Sequence, residues 1–218
     1  MGAVFGGAPT PHVLRLAALS GAQTFVETGT FTGQTTRWAA DHFARVHTVE
    51  RSQELFDLYS PDLSAIANVT PHLGDSRTVL PEIIEGLDAT PAIHWLDGHW
   101  SGGPTAGEDD ECPILDELEC LASRQQDVIL IDDARLFLAA PPEPHDPAQW
   151  PTLLDISRVL INTRDDRPYL QVIDDVVFIV PPTDALVEGL IEIARKSDPE
   201  PEPSVGILQR LGLSRTRS

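Results

Sequence analysis

The sequence predicts a single doubly wound, Rossmann-like α/β domain, in which helices cover both faces of a mostly parallel seven-stranded sheet. Its 218 residues suit one domain of ordinary size. Hydrophobic residues make up 41% and charged residues 22%, which is typical of a globular protein with a buried core. Short β-rich runs alternate with stretches of helical periodicity. We therefore divide the chain into an N-terminal helical segment (1–23), a core domain (24–182) and a C-terminal helix with a tail (183–218).

The strands of the parallel part are predicted from short apolar runs that lie between turn signals. The fourth and fifth runs are continuously apolar, as expected of strands buried on both faces. In chain order, the five predicted strands are Thr24–Glu27, Val46–Glu50, Asn68–Leu73, Ala92–Leu96 and Asp127–Ile131.

Helices are predicted where apolar residues recur at helical spacing between these strands. Residues 139–151 are rich in proline, so we expect an irregular loop there. Two further β runs, 169–174 and 176–180, predict a closing hairpin, so that only the last strand is antiparallel. The predicted helices are 12–19, 34–45, 52–58, 77–87, 113–123, 152–162 and 184–196.

The charge of the chain argues against two classes of partner. With 34 acidic and 15 basic residues, the formal net charge is −19, which would repel nucleic-acid phosphates and anionic lipids. No apolar stretch reaches the roughly 20 residues of a membrane span, and the N-terminus does not read as a secretion signal. We therefore expect a cytoplasmic protein whose two cysteines are reduced thiols.

The loop after the first strand combines a carboxylate with two glycines. Glu27 precedes Gly29 by two residues, and Gly33 follows after a further four. Glycines let the backbone turn sharply and approach a ligand closely. The spacing is not the Gly-x-Gly-x-x-Gly of dinucleotide sites, and Glu27 would repel a phosphate. The loop therefore suits a cationic or amino-bearing ligand.

This acidic-x-Gly-x-x-x-Gly segment resembles the first motif of the class I S-adenosylmethionine-dependent methyltransferases. In that family an acid after the second strand, here Glu50, grips the ribose hydroxyls, and an acid after the third strand, here Asp75, contacts the adenine amino group. The alternative is that each residue is an ordinary loop carboxylate or turn glycine. The cofactor-binding residues that the resemblance implies are Glu27, Thr28, Gly29, Thr30, Gly33, Glu50, Arg51, Asp75, Ser76 and Asp97.

Three carboxylates follow the fourth and fifth strands. Asp97 ends one run, and Asp132 and Asp133 end the next. Adjacent parallel strands would bring them together, and carboxylates that close cannot all stay ionised without a counter-charge. Oxygen-only ligands favour Mg²⁺ or Ca²⁺. We predict a Mg²⁺ site; the alternative is a structural acid pair or a helix cap at Asp132 or Asp133.

The same acids resemble the ligands of the metal-dependent O-methyltransferases, including the catechol and macrocin-type sugar enzymes. His99, two residues after Asp97, lies where a general base could take a proton from a metal-bound hydroxyl. In the macrocin-type enzymes this loop supplies the base as His or Asp. The alternative is a histidine that merely packs in the loop.

Two loops are candidates for the acceptor side of such a site. Residues 101–111 are rich in glycine and acids, so we predict either a substrate lid or a solvated surface loop. We interpret the acidic run 108–111 itself as solvated. Arg135 and the loop that ends at Trp150 could shape the acceptor pocket.

We therefore predict a methyltransferase that transfers a methyl group from S-adenosylmethionine to a hydroxyl of a small molecule, such as a sugar, a catechol-like compound or a natural-product intermediate. The alternatives are a metal-independent N- or O-methyltransferase and a non-catalytic binding module of the same fold. A nicotinamide-dependent oxidoreductase is disfavoured by the glycine spacing. The terminal helices are candidate contacts of a homodimer.

Overall fold

The computed structural model describes residues 6–100 and 105–197 of the chain. These residues form seven strands and eight α-helices in an alternating order, as the sequence predicts. The strands are β1 (Thr24–Thr28), β2 (Arg45–Glu50), β3 (Val69–Leu73), β4 (Ala92–Leu96), β5 (Val128–Ile131), β6 (Tyr169–Ile173) and β7 (Val176–Val180). The helices are α1 (Thr10–Ser20), α2 (Gln34–Ala40), α3 (Gln53–Ser64), α4 (Ser76–Gly86), α5 (Ile114–Cys120), α6 (Arg135–Leu138), α7 (Leu153–Thr163) and α8 (Asp184–Ser197).

All seven strands belong to one sheet with the order β3-β2-β1-β4-β5-β7-β6. The pairs among β1 to β5 are parallel, whereas β7 is antiparallel to both β5 and β6. The last strand is therefore the one that runs in the opposite direction, which confirms the prediction. The strand order reverses between β1 and β4, and ligands of open α/β sheets bind at the carboxyl ends of strands beside such a reversal.

Helices cover both faces of the sheet because successive strand residues point to opposite sides. On one face Phe25 and Leu130 belong to a core that includes residues of α1, α2, α3 and α8. On the other face Val26 packs with residues of α4, and Ile129 packs with residues of α5, α6 and α7. The doubly wound arrangement follows from this alternation.

Some helix boundaries differ from the prediction. The helix after β1 ends at Ala40 rather than at residue 45, because the chain turns before β2 begins. The next helix continues through Pro61 to Ser64 rather than ending at 58. Packing explains this extension, since Leu63 is completely buried in the core. No hydrophobic pattern in the sequence predicted the short α6 or the 3-10 turn at Pro147–Gln149 within the proline-rich loop.

The two terminal helices pack against each other. Arg15 of α1 forms a 2.9 Å ion pair with Glu192 of α8, and a methyl-sized group at Gly189 would lie 2.3 Å from Leu19 Cδ1. The tail beyond residue 197 lies outside the described residues, as do residues 101–104 of the predicted lid. None of the described helices combines the length and apolarity needed to cross a bilayer.

Candidate active site

The loops that follow β1 and β4 touch each other at Gly29. This glycine has φ 86°, and a Cβ there would lie 2.1 Å from the carbonyl oxygen of Asp97. The Asp97 backbone N–H donates to the carbonyl of Thr28 at 3.1 Å, which holds the two loops together. Only glycine combines this conformation with so close an approach. Gly29 of the sequence motif is therefore required for the contact between the two loops.

Glu27 lies behind this loop rather than at its surface. Its Oε2 accepts hydrogen bonds from the hydroxyls of Thr36 (2.5 Å) and Thr48 (2.8 Å), and the residue is 2% exposed. Burial raises the pKa of Glu27 to about 7, although the two hydroxyls oppose the shift. Its carboxylate thus connects β1 to β2 and α2.

Glu50 ends β2 with its carboxylate fixed by backbone donors. The Phe31 N–H donates to Oε2 at 2.9 Å, and the Ser52 N–H donates to Oε1 at 2.8 Å. Burial raises the pKa of Glu50 above its usual value, whereas these hydrogen bonds lower it. The carboxylate retains lone pairs that could accept from the hydroxyls of a ribose.

An ion-pair network surrounds Asp75. Arg77 donates to both of its carboxylate oxygens, at 2.9 and 2.6 Å, and lowers its pKa. Arg77 also contacts Asp110, and Arg51 lies 3.6 Å from Asp75 and 3.5 Å from Asp110. Residue 110 belongs to the acidic run that we interpreted as solvated. The side chain of Asp110 is 41% exposed and thus partly solvated, and two arginines hold the run against the ends of β2 and β3.

A cavity of about 350 Å³ lies at the carboxyl ends of β1 to β4. Of the predicted cofactor residues, Gly29, Glu50, Arg51, Asp75, Ser76 and Asp97 line it, as does the predicted base His99. The other predicted residues lie close by without lining it, namely Glu27, Thr28, Thr30 and Gly33. Thr105 and Ala106 also line the cavity, so this part of the predicted lid borders it.

His99 brings two of the three predicted metal acids together. Its Nε2 lies 3.0 Å from Asp133 Oδ2 and 3.9 Å from Asp97 Oδ1. Burial disfavours the imidazolium, but the hydrogen bond to Asp133 and the surrounding acids raise the pKa of His99 above its ordinary value. Asp133 has φ 55°, a left-handed conformation that Asp tolerates better than most residues.

The acids at the ends of β4 and β5 also affect one another. Burial raises the pKa of Asp132 to about 7, and Asp133 adds to the shift. Burial likewise raises the pKa of Asp97 well above its usual value, with a further contribution from Asp132. Such shifts mark carboxylates that lack sufficient positive charge nearby. Asp133 differs, because His99 and Arg135 lower its pKa although burial opposes the shift. The three acids nevertheless offer the oxygen donors that a divalent cation prefers.

The observed arrangement is nevertheless not that of a formed chelate. Within residues 6–100 and 105–197, no group of three or more His, Cys, Asp or Glu side chains has the spacing of a metal site. Arg135 donates to Asp133 Oδ1 at 2.5 Å and also contacts Asp175. Asp133 would have to exchange the contacts with His99 and Arg135 for a metal ion.

Two buried glutamates were missed by sequence reasoning. Glu117 of α5 is 1% exposed and has one oxygen without a hydrogen-bond partner among the described residues. Burial raises its pKa. Glu111 is 2% exposed and bonds to residues of the proline-rich loop, so the solvated interpretation is wrong for this residue of the run. Nothing in their acidic sequence surroundings distinguishes either residue from a surface glutamate.

The comparisons with known proteins agree with this geometry at the level of the fold. No protein-family model matches the sequence, and no curated protein matches it at a significant level. Among solved structures, the O-methyltransferase TomG from Streptomyces achromogenes, involved in tomaymycin synthesis and solved in complex with SAM, is similar over 83% of this chain and 82% of its own. The sequence identity is 20% and the TM-score is 0.55.

Two other solved structures give the same result. A putative caffeoyl-CoA O-methyltransferase from Staphylococcus aureus shares 11% identity with a TM-score of 0.54, over 81% of this chain and 86% of its own. An O-methyltransferase from Bacillus cereus in complex with SAH shares 18% identity with a TM-score of 0.51, over 79% and 81%. The chain therefore has the Rossmann-like fold of class I S-adenosylmethionine-dependent methyltransferases.

Proposed function

We propose, with this methyltransferase fold as the premise, that the protein is an S-adenosylmethionine-dependent O-methyltransferase that acts on a hydroxyl of a small molecule. One observation carries the proposal: a single cavity has Glu50 and Asp75 in its lining together with Asp97 and His99. The first pair suits the hydroxyls and amino group of a nucleoside. The second pair suits proton transfer at an acceptor.

His99 is the group that we assign as the general base. Its imidazole would take the proton of the acceptor hydroxyl, and Asp133, 3.0 Å from Nε2, would stabilise the resulting imidazolium. S-adenosylmethionine supplies a methyl group that is already electrophilic on its sulfonium, so the main task of the protein is alignment. The loops that meet at Gly29 and Asp97 would fix the position of the cofactor relative to the base.

We include Mg²⁺ in the proposal because of the donor chemistry. Asp97, Asp132 and Asp133 would hold it through oxygen ligands, which this ion prefers. The bound ion would lower the pKa of a coordinated acceptor hydroxyl. Acceptors with two neighbouring oxygens, such as sugars and catechol-like compounds, fit this chemistry. The likeness to TomG, which is involved in tomaymycin synthesis, supports natural-product intermediates among these acceptors.

A metal-independent methyltransferase is the second candidate, and one observation favours it. His99 and Arg135 already contact both oxygens of Asp133, so part of its negative charge is balanced without a metal ion. In that case Asp97 would serve only to bind the amino group of the methionine moiety, and the acceptor atom could be nitrogen or a single hydroxyl.

Three further expectations belong to this proposal. Residues 24–182 would be the catalytic unit, flanked by a helical segment at 1–23 and by a helix and tail at 183–218. A cytoplasmic location and a homodimer are expected from the sequence and remain predictions.

Cofactor binding is the first test. Isothermal titration calorimetry should show one S-adenosylhomocysteine per chain. Transfer of a labelled methyl group from S-adenosylmethionine would then be measured on a panel of catechols, nucleotide-linked sugars and amines. Cofactor binding without transfer to any acceptor would favour a non-catalytic binding module. Absence of cofactor binding would refute the proposal.

Metal binding is tested separately. Mn²⁺ would be titrated into metal-stripped protein saturated with S-adenosylhomocysteine, with free Mn²⁺ read by electron paramagnetic resonance. We expect about one site per chain, as the single acid cluster implies, and its loss in Asp133→Ala. Transfer that persists in a chelator, together with no bound Mn²⁺, would favour the metal-independent candidate.

A further inference from the structure

Glu111 uses all of its polar groups to join two loops. Its Oε2 accepts hydrogen bonds from Trp150 Nε1 (2.5 Å) and His145 Nδ1 (2.9 Å), and its Oε1 accepts from the Asp146 N–H (2.8 Å). Its own N–H donates to Gln149 Oε1 at 3.0 Å. The partners lie in the segment 145–150, which is more than thirty residues away in sequence.

The backbone of Glu111 is anchored on the other side. Its carbonyl accepts a 2.7 Å hydrogen bond from the N–H of Trp100, the residue after His99. Glu111 therefore links the loop after β4 to the loop before α7. Although burial opposes ionisation, these hydrogen bonds and the nearby His145 lower the pKa of Glu111.

Aromatic contacts extend this link to the predicted base. The ring of Trp150 meets the imidazole of His99 edge to face, with centroids 5.2 Å apart. Trp150 also packs against Phe137 at 5.6 Å and His145 at 5.1 Å, and it is 6% exposed. Because Glu111 fixes the indole N–H, it also fixes the orientation of the Trp150 ring against His99.

We propose that Glu111 is a positioning residue: by holding Trp150 through its indole N–H, it holds the imidazole of His99 in place beside Asp133. The proposal rests on the proposed function in treating His99 as the base. It goes beyond that function because it assigns a role to an acid that touches neither the cavity nor the acids of β4 and β5.

The chemistry of the site requires a carboxylate rather than an amide. Three donors converge on the two oxygens of Glu111, and a carboxylate has no hydrogen of its own. Glutamine at this position would place an NH₂ group against Asp146 N–H or against Trp150 Nε1. A buried donor without an acceptor destabilises the folded protein. Glu111→Gln should therefore loosen the loop contact while preserving side-chain size.

The test follows the imidazole signals of the intact protein by NMR, with S-adenosylhomocysteine bound. Histidine resonances would be assigned with His99→Gln and His145→Gln. Long-range ¹⁵N correlations should show His145 with its proton on Nδ1. In Glu111→Gln and in Trp150→Phe, the His99 ring signals should shift or broaden, since the contact with the indole is altered or lost. Glu108→Gln, an exposed substitution in the same acidic run, is the matched control.

The affinity for S-adenosylhomocysteine should be unchanged in Glu111→Gln, which shows that the fold and cofactor side are intact. Unchanged His99 signals in both variants would overturn the proposal, even if the proteins were less stable, since a structural role alone would lower stability only. Trp150→Phe keeps the test valid if Glu111→Gln fails to fold. Failure of the proposed function gives a different result, namely a wild-type protein that does not bind S-adenosylhomocysteine.

Discussion

The proposed cofactor side of the cavity, at Glu50 and Asp75, and the proposed acceptor side, at His99, are stabilised in different ways. On the cofactor side, Glu50 accepts from the N–H of Ser52, two residues away, and Asp75 pairs with Arg77, also two residues away. On the acceptor side, His99 contacts Asp133 across 34 residues, and Glu111 contacts Trp150 across 39. Glu50 and Asp75 are thus fixed by turns at strand ends in addition to longer contacts from Phe31 and Asp110, whereas His99 and Trp150 are held by contacts between separate loops.

This difference allows the two sides to change independently. Loops that hold each other through side chains can exchange those side chains without disturbing the strand ends beneath them. Substrate choice in a widely used fold is set in such loops. If the two sides are independent, a substitution on one side should change either turnover or S-adenosylhomocysteine affinity, but not both.

The largest effect is expected for His99→Ala. Loss of a general base lowers turnover by about 10²- to 10⁴-fold. Affinity for S-adenosylhomocysteine should stay close to that of the wild type, because the substitution affects the acceptor side. Steady-state kinetics and calorimetry measure the two quantities, with the exposed His42→Ala as the control. Normal turnover in His99→Ala would remove this residue from the mechanism.

Gly29→Ala should have the converse effect and damage the cofactor side. Its Cβ would meet the backbone of Asp97, so one of the two loops must move. We expect S-adenosylhomocysteine to bind about a hundredfold more weakly, which corresponds to about 2.7 kcal/mol. Gly21→Ala is the matched control, since Gly21 also has a positive φ (75°) but no atom within 4 Å of the added Cβ. Equal cofactor affinity in both variants would contradict the role of the loop contact.

Glu27→Gln should change how stability depends on pH. The pKa of Glu27 rises from about 4.5 to about 7 on folding, so the native state holds a proton that the unfolded chain releases. The protonated carboxyl of Glu27 therefore adds to the free energy of unfolding in full at a pH below 4.5, its pKa in the unfolded chain. As the pH rises through 7, this stabilisation is lost, by about 2 kcal/mol between roughly pH 5 and 8. Denaturant unfolding should show a flatter profile for Glu27→Gln.

The exposed Glu54→Gln serves as its control and should keep the wild-type profile. A Glu27→Gln profile that matches the wild type would mean that Glu27 is ionised in the native protein. Because Glu27 lies behind the loop, turnover at a fixed pH should change less than in His99→Ala.

The smallest effect is expected for Asp110→Asn, at the point where the two sides meet. Partly exposed ion pairs such as those of Asp110 with Arg51 and Arg77 contribute about 0.2–1 kcal/mol and weaken with salt. S-adenosylhomocysteine should therefore dissociate a few-fold faster at low salt, by stopped-flow measurement, with less difference at high salt. Asp109→Asn, at the exposed neighbour, should leave the rate unchanged.

Most of the fold could be predicted because its signals are local. The apolar run Ala92–Leu96 has the predicted bounds, and the hairpin strands Tyr169–Ile173 and Val176–Val180 match to within one residue. The acids at strand ends were also predictable, since the strands determine which edge they reach. Their ligands and roles are not settled by that placement and stay predictions.

The contacts of Glu111 and Glu117 could not be predicted in the same way. Each lies in an acidic stretch whose composition is that of a solvated surface. Their burial depends on partners such as Trp150, whose position is set by a proline-rich loop without periodicity. Long-range contacts of this kind leave no pattern in neighbouring residues.

Asp110 and Glu111 are consecutive residues. Asp110 contacts Arg51 and Arg77 on the proposed cofactor side, whereas Glu111 binds Trp150 on the proposed acceptor side. A movement of this loop that separates Asp110 from the two arginines would therefore also disturb the packing of Trp150 against His99. Trp150 would take its position beside His99 only when the loop that carries Asp110 and Glu111 lies against the cofactor. We expect ordered sequential kinetics as a consequence: S-adenosylmethionine binds before the acceptor, and S-adenosylhomocysteine leaves after the methylated product.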